Sequence, residues 1–259
     1  MDLQKIKHAG LITIPSLFTV GNICCGFFSI LSSFGGYYSR AGWLVFAAMV
    51  LDAFDGRVAR LLHAESPFGV EMDSLADLIS FCAAPAILIY FIALEDTPFG
   101  AAIAFMFLLF GAIRLARFNV SAQENKGSKK YFSGLPTPAA AAVLASFAIS
   151  YDIFALDAGG RMSPLMSAYL PYIYSTIAFI TVALSLLMVS GIPYAAFKGG
   201  AGNTKKKITL TKLVLIVFVL ALFVKYPQDI VFIVFGIYAL MGIVMFFFRA
   251  FKHLEEKNS

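Results

Sequence analysis

Four aspartates, Asp52, Asp55, Asp73 and Asp77, stand together in the stretch DAFDGRVARLLHAESPFGVEMDSLAD, in or beside apolar segments long enough to cross a bilayer. That is a costly place for acids. At the centre of a membrane helix one Asp costs roughly 2.5 to 3.5 kcal/mol on insertion scales, so four cost on the order of 10 kcal/mol unless something neutralises them. A bound divalent cation, or a pair of them, is the natural partner for clustered carboxylate oxygens. At about 100° per residue, Asp52, Asp55, Gly56 and Ala59 fall within about 100° of one another on one helix face. The two acids there can hold a metal, and the two small residues leave room for a planar group or a sugar against the backbone. Asp73 and Asp77, four apart, share a face of the next helix, which returns antiparallel after a tight turn. Opposed, the two faces form an oxygen cage wide enough for two hard cations. Such pairs, about 3.5 to 4 Å apart, serve in-line displacement at phosphorus. Arg60, one turn beyond Gly56, can reach a phosphate, and a carboxylate not fully used as a ligand can take a proton from an attacking hydroxyl. The chemistry these residues support is phosphoryl transfer at a membrane surface.

The elements that must position them are membrane helices. Of 259 residues, 60% are hydrophobic and 14% charged, and the mean hydropathy is +0.83. A soluble domain of this length carries about a quarter charged residues. The expected fold class is all-α: a polytopic membrane helix bundle of about eight transmembrane helices with both termini cytoplasmic. Residues 1–16 form a cytoplasmic or interfacial lead; the lysines before the first apolar run resemble a signal peptide, but the run continues past Leu31 and reads as a retained helix. Spans are expected at about Leu17 to Gly36, Gly42 to Leu62, Val70 to Leu94, Ala101 to Val120, Thr137 to Phe154, Ala168 to Val189, Ile208 to Val224 and Ile230 to Phe248. Pro67 breaks the chain between the second and third, and the alanine-rich fifth lets backbones pack closely. Residues 17–189 are read as a six-helix catalytic core and 190–259 as two further helices with a tail.

Charge sets the expected orientation. With the N-terminus inside, 17 of the 20 Lys and Arg fall on the cytoplasmic side and only Arg40, Arg161 and Lys225 outside. The acids then lie near the cytoplasmic ends of the second and third spans. The net charge of +5 sits in short loops between apolar runs, where it sets topology and does not form a nucleic-acid surface. Cys24, Cys25 and Cys82 fall within apolar segments with no metal-ligand spacing to histidine, and His8, His63 and His253 form no cluster.

The residues Asp52, Asp55, Gly56, Ala59, Arg60, Gly69, Asp73 and Asp77 stand as D-x2-D-G-x2-A-R-x8-G-x3-D-x3-D. This arrangement resembles the complete signature of the CDP-alcohol phosphotransferase family. SLADLISFCAAPA, RLARFN at 114–119 and YFSGLPTPAAA at 131–141 resemble its phosphatidylserine synthase branch, and carry the likeness over about the first 145 residues. The resemblance implies transfer of a phosphatidyl group from CDP-diacylglycerol to the hydroxyl of L-serine, releasing CMP. It implies Asp52, Asp55, Asp73 and Asp77 as ligands of magnesium or manganese, two ions per site, with Asp77 also the general base. It further implies Gly56, Ala59, Arg60 and Gly69, with Asp52, on the CDP-diacylglycerol side, and a homodimer in a cell membrane such as the bacterial inner membrane, its active site facing the cytoplasm.

Other roles are read from chemistry and position. Serine is zwitterionic and needs a cation for its carboxylate, for which Arg114, Arg117 and Lys130 are the candidates. Asn22, a polar group in the first span, can line the nucleotide pocket. The same chemistry with glycerol 3-phosphate, an inositol phosphate or choline as acceptor is the alternative, since Arg114 and Arg117 suit a phosphate equally. A divalent-cation transporter would distribute acids across the bilayer depth and often repeat its motif, whereas these acids are confined to two neighbouring helix ends with no repeat.

Overall fold

The computed structural model describes residues 3–61, 66–124, 131–155, 164–195, 236–239 and 241. The chain forms α1 (Leu3–Phe34), α2 (Tyr38–Leu61), α3 (Pro67–Asp77), α4 (Ala84–Ile89), α5 (Gly100–Glu124), α6 (Thr137–Ala155) and α7 (Pro164–Val189). Two π-helical segments, Leu78–Ala83 and Tyr90–Leu94, lie before and after α4 and make one continuous span from Pro67. Among the described residues, three stretches are long and apolar enough to cross a membrane: Leu17–Phe34, Pro67–Leu94 and Gly100–Ser121. Shorter apolar helices run over Thr137–Tyr151 and Tyr174–Val189. α2 has the length, 24 residues or about 36 Å, but carries Arg40, Asp52, Asp55, Arg57 and Arg60.

The helices agree with the first six expected spans to within a few residues at each end, with one difference of extent. The leading segment is itself helical and continuous with the first span from Leu3. The expected seventh and eighth spans lie outside the described residues, apart from 236–239 and 241. Of these, Ala239 is buried and belongs to the main core, with Tyr238 packed against it. A short antiparallel ribbon departs from the all-helical expectation. Its strands are β1 (Tyr131–Ser133) and β2 (Pro193–Ala195), paired Tyr131 to Ala195 and Ser133 to Pro193.

Local chemistry explains the elements that matter for the site. Ser66 caps α3: its hydroxyl accepts from the Gly69 N–H at 3.0 Å, and Pro67 occupies the first helical position, where a missing N–H costs nothing. Pro67 thus ends the connection by opening the next helix. The first π segment follows from Pro85, which cannot donate to the carbonyl four residues back. The backbone widens instead, so that the Ala84 N–H reaches the Ile79 carbonyl. This extra residue in the turn comes directly after Asp77 and resets the helix phase between the acids and the rest of the span.

The core is built on small residues. Ala139 to Ala142, Ala145 and Ala148 on α6 are buried, and a Cβ at Gly42 of α2 would lie 2.7 Å from the Ala145 carbonyl oxygen. α2 and α6 therefore pack backbone to backbone, as the alanine content predicted. On the other side, α1 closes against α2 through the turn at Gly36, whose φ of +76° suits glycine, and Ser29 donates to the Ala41 carbonyl at 2.9 Å. Beside the ribbon, the Gly134 N–H donates to Ile192 and the Leu135 N–H to Leu187, tying the start of α6 to the end of α7.

Candidate active site

Asp52 comes from α2 and Asp73 and Asp77 from α3, and each offers a carboxylate oxygen such that all three lie within 4.8 Å of one another. The i, i+4 spacing on α3 places its two acids one turn apart, and the tight Ser66–Pro67 entry brings that face back against α2. All three are half-buried. Asp55, three residues after Asp52, stands outside that triad. It is 6% exposed and its Oδ2 accepts a hydrogen bond from the Thr19 hydroxyl of α1. It remains close enough to interact electrostatically with Asp73. The two acidic faces expected from the spacing are thus brought together, three acids directly, with Asp55 beside them and held by Thr19 of α1.

α1 supplies a third wall. Asn22 is 0% exposed, and neither its amide nitrogen nor its oxygen has a hydrogen-bond partner among the described residues. Its side chain lies beside Asp77. The Oδ1 of Asp77 is likewise buried without a partner. Ser80, in the π segment, donates to the Asn22 backbone carbonyl at 2.8 Å and holds the two helices in register.

Arg114 of α5 closes the fourth side. It interacts with Asp77, its Nη1 donates to the Thr137 hydroxyl at 3.2 Å, and its buried Nε has no partner among the described residues. Close helix packing brings it there, for a Cβ at Gly111 would meet the Cys82 sulphur at 2.5 Å. Tyr238 neighbours Arg114 from far along the chain.

Other candidates separate from this centre. Arg117 is exposed and donates to the Val189 carbonyl at 2.9 Å, at the C-terminal end of α7 where a cation is favoured. Gly69 lies in the first turn of α3 and serves the Ser66 cap. Gly56 is exposed beside Asp55, and among the described residues nothing outside its own helix and chain neighbours lies within 4 Å of where a Cβ would stand. Ala59 and Arg60 lie in the last turn of α2, their side chains outside what is described, and Lys130 lies outside the described residues.

Three contributors were not singled out from the sequence. Thr19 carried a readable signal, since it stands three residues before Asn22 on the same face of an apolar helix. Asn119 donates to Ser74 at 2.8 Å and pins α5 to α3 next to Asp73; it lies within RLARFN but its partner is 45 residues away. Tyr238 gave no local signal.

Chemically, the centre gathers unpaired buried donors and acceptors around carboxylates of like charge. Apart from Arg114, the acids have no cation beside them among the described side chains. Their donor set is all oxygen, completed by the Asn22 amide, and it fits a hard divalent cation. The residues present therefore suit such an ion.

Comparison with known proteins identifies the family. The pattern of the CDP-alcohol phosphatidyltransferase family matches residues 12–187, which include Asp52, Asp55, Asp73, Asp77, Asn22, Arg60, Arg114 and Arg117. The chain is 36% identical over 249 residues to a CDP-diacylglycerol–serine O-phosphatidyltransferase of Helicobacter pylori, covering 96% of this chain and 97% of that one. It is also 36% identical over 205 residues to an archaetidylserine synthase of Methanothermobacter thermautotrophicus, covering 76% of each. A CDP-diacylglycerol–serine O-phosphatidyltransferase of Bacillus subtilis is 34% identical over 191 residues, which make up 73% of this chain and 94% of that relative. A carboxylate triad presented by adjoining apolar helices, and a family pattern that spans it with two thirds of the sequence, lead to one conclusion: this chain belongs to the CDP-alcohol phosphatidyltransferase family.

Proposed function

We propose that this chain transfers the phosphatidyl group of CDP-diacylglycerol to the hydroxyl of L-serine, giving phosphatidylserine and CMP. The observation that carries the reading is the convergence of Asp52, Asp73 and Asp77 between membrane helices. Serine as acceptor is supported by the relatives, whose names agree on serine and differ in the lipid.

Asp52, Asp55, Asp73 and Asp77, with Asn22 beside them, would hold the divalent ions, magnesium or manganese and two per site. When bound, such ions neutralise charge on the attacking and leaving oxygens of an in-line displacement. Asp77 accepts the proton of the serine hydroxyl, as its unpartnered Oδ1 can do. The serine oxygen then forms a bond to the phosphorus carrying the diacylglycerol, the pyrophosphate P–O bond breaks, and CMP leaves. Arg114 turns its free donors to the serine carboxylate, with Arg117 and Lys130 at the approach. Arg60 meets the nucleotide phosphates, and Gly56 and Ala59 leave the cytidine its place.

The lipid substrate and the apolar helices place the enzyme in a membrane. The reading extends to eight spans, both termini and the acidic centre on the cytoplasmic side, and a homodimer, as the charge distribution and the family resemblance suggest.

The test is CMP release by the purified full-length protein in detergent, with CDP-diacylglycerol, a divalent cation, and L-serine, glycerol 3-phosphate, an inositol phosphate or choline offered singly. Release that depends on serine, stops with chelator and returns with manganese is the expected result. Release with another alcohol alone would keep the mechanism and sink the serine assignment. No release with any acceptor would sink both.

Gly56 gives a sharper prediction about the donor. A helical glycine is worth about 1 kcal/mol less than alanine, and among the described residues nothing outside its own helix and chain neighbours lies within 4 Å of where a Cβ would stand on this one. Its open side is the space reserved for the nucleotide. Gly56→Leu is therefore expected to fold normally, while KM for CDP-diacylglycerol rises at least about tenfold, equivalent to about 1.4 kcal/mol, and KM for serine stays near its original value. Equal KM values for the donor in both proteins would remove Gly56 from the nucleotide site.

A further inference from the structure

Asp55 belongs to the acidic signature, yet it stands apart from the three acids that converge. Its side chain is buried and its Oδ2 is held by the Thr19 hydroxyl, donated from a helix 36 residues earlier in the chain. Thr19 is itself only 4% exposed. This hydrogen bond crosses the α1–α2 interface to a carboxylate.

The arrangement is held in place by the rest of α1. Residues 19, 22 and 26 fall within about 60° of one another on a helix of 100° per residue. The Asn22 carbonyl accepts from Ser80, and Gly26 lets the backbone of Ser80 approach so closely that a Cβ would overlap it. Successive turns of α1 are therefore fixed against the span that bears Asp73 and Asp77. A hydroxyl carried on such a helix holds a fixed position relative to both acidic faces.

We infer that Thr19 is the positioning residue for Asp55: by occupying Oδ2 it fixes the rotamer of the fourth acid and so completes the cation site from the α1 side. The inference rests on the proposed divalent-ion chemistry and adds to it a residue outside the acidic signature. Donors that orient a ligating carboxylate typically contribute 10- to 100-fold in metal affinity. Thr19 touches neither substrate nor reacting atoms; it acts through Asp55.

The test measures Mn2+ binding directly, by electron paramagnetic resonance of the free ion, on the full-length protein in detergent, with CMP release and the thermal midpoint alongside. The variants are Thr19→Val, Thr19→Ser, Asp55→Asn and the Val/Asn double variant. Thr19→Val is expected to weaken Mn2+ binding about 10- to 100-fold, with the thermal midpoint close to that of the original protein. Thr19→Ser, which keeps the hydroxyl, should restore most of the affinity. In the Asp55→Asn background the Val substitution should add little, because the carboxylate ligand through which Thr19 acts is already gone. Thr19→Ala answers the same question should the Val variant not fold. Affinity unchanged in Thr19→Val, or lost equally in Thr19→Ser, or additive with Asp55→Asn, overturns the role of Thr19 while leaving the serine transfer reading intact. An original protein that binds no Mn2+ and releases no CMP overturns both.

Discussion

Asp77→Asn is expected to lower kcat for serine-dependent CMP release by about 10²- to 10⁴-fold, the range that a positioned general base contributes. The substitution keeps the shape of the side chain and removes its charge and its capacity to accept a proton. Asp77 is the acid best placed for that role. Its Oδ1 is buried without a partner, Asn22 lies alongside, and Arg114 faces it from α5. It also belongs to the triad with Asp52 and Asp73, so a change there disturbs cation binding as well. The two effects separate with concentration. Raising Mn2+ should recover much of the activity of Asp52→Asn, whose defect is chiefly in holding the ion. It should leave Asp77→Asn impaired, because no amount of bound ion restores a proton acceptor. Since the base acts in the transition state, KM for both substrates should change much less than kcat. A fall of less than tenfold at saturating Mn2+ would take the base role away from Asp77.

The contrast between Asp77 and Thr19 shows what was legible in the sequence. The acids announced themselves because their spacing within a helix, three apart on α2 and four apart on α3, is a local property read directly from the 3.6-residue repeat. The short connection through Ser66 and Pro67 made it safe to oppose the two faces. The first six helices were legible for a similar reason, since length and hydropathy are local as well. Contacts between distant helices were not. That Thr19 would meet Asp55 depends on how α1 docks, and that Arg117 would bind the Val189 carbonyl depends on where α7 ends, 72 residues away. The pairing of Tyr131–Ser133 with Pro193–Ala195 was hidden because three-residue strands carry no period of their own. The π segment after Asp77 was hidden too, as a proline within a long apolar span reads equally well as a simple kink. Arg114 falls between these cases. Its chemistry and its end of the helix were apparent, but its turn toward Asp77 and away from the path of Arg117 came from the packing of Gly111 on Cys82.

Arg114 accordingly carries the second large effect, and Arg114→Lys is the variant that exposes it. Removing the positive charge altogether would leave Asp77 uncompensated in a partly buried site, a change that costs about 3 to 5 kcal/mol in comparable ion pairs and would obscure any effect on binding. Lysine keeps the charge and gives up the planar fork. The Nη1 of Arg114 is engaged by Thr137 while the buried Nε has no partner among the described residues, so the guanidinium retains donors for a second group. A serine carboxylate is the acceptor that a planar fork matches best. Hydrogen bonds to charged groups contribute about 1.5 to 3 kcal/mol, so KM for serine is expected to rise about 10- to 150-fold in Arg114→Lys. KM for CDP-diacylglycerol should move far less, because the proposed function assigns the nucleotide to α2. If instead both KM values hold and kcat alone falls, Arg114 serves the chemistry through Asp77 and the serine carboxylate is bound elsewhere. The direction of the split between KM and kcat thus assigns the arginine to the acceptor or to the base, and a full loss of folding in Arg114→Gln beside a stable Arg114→Lys would confirm that its charge is needed to balance the acids.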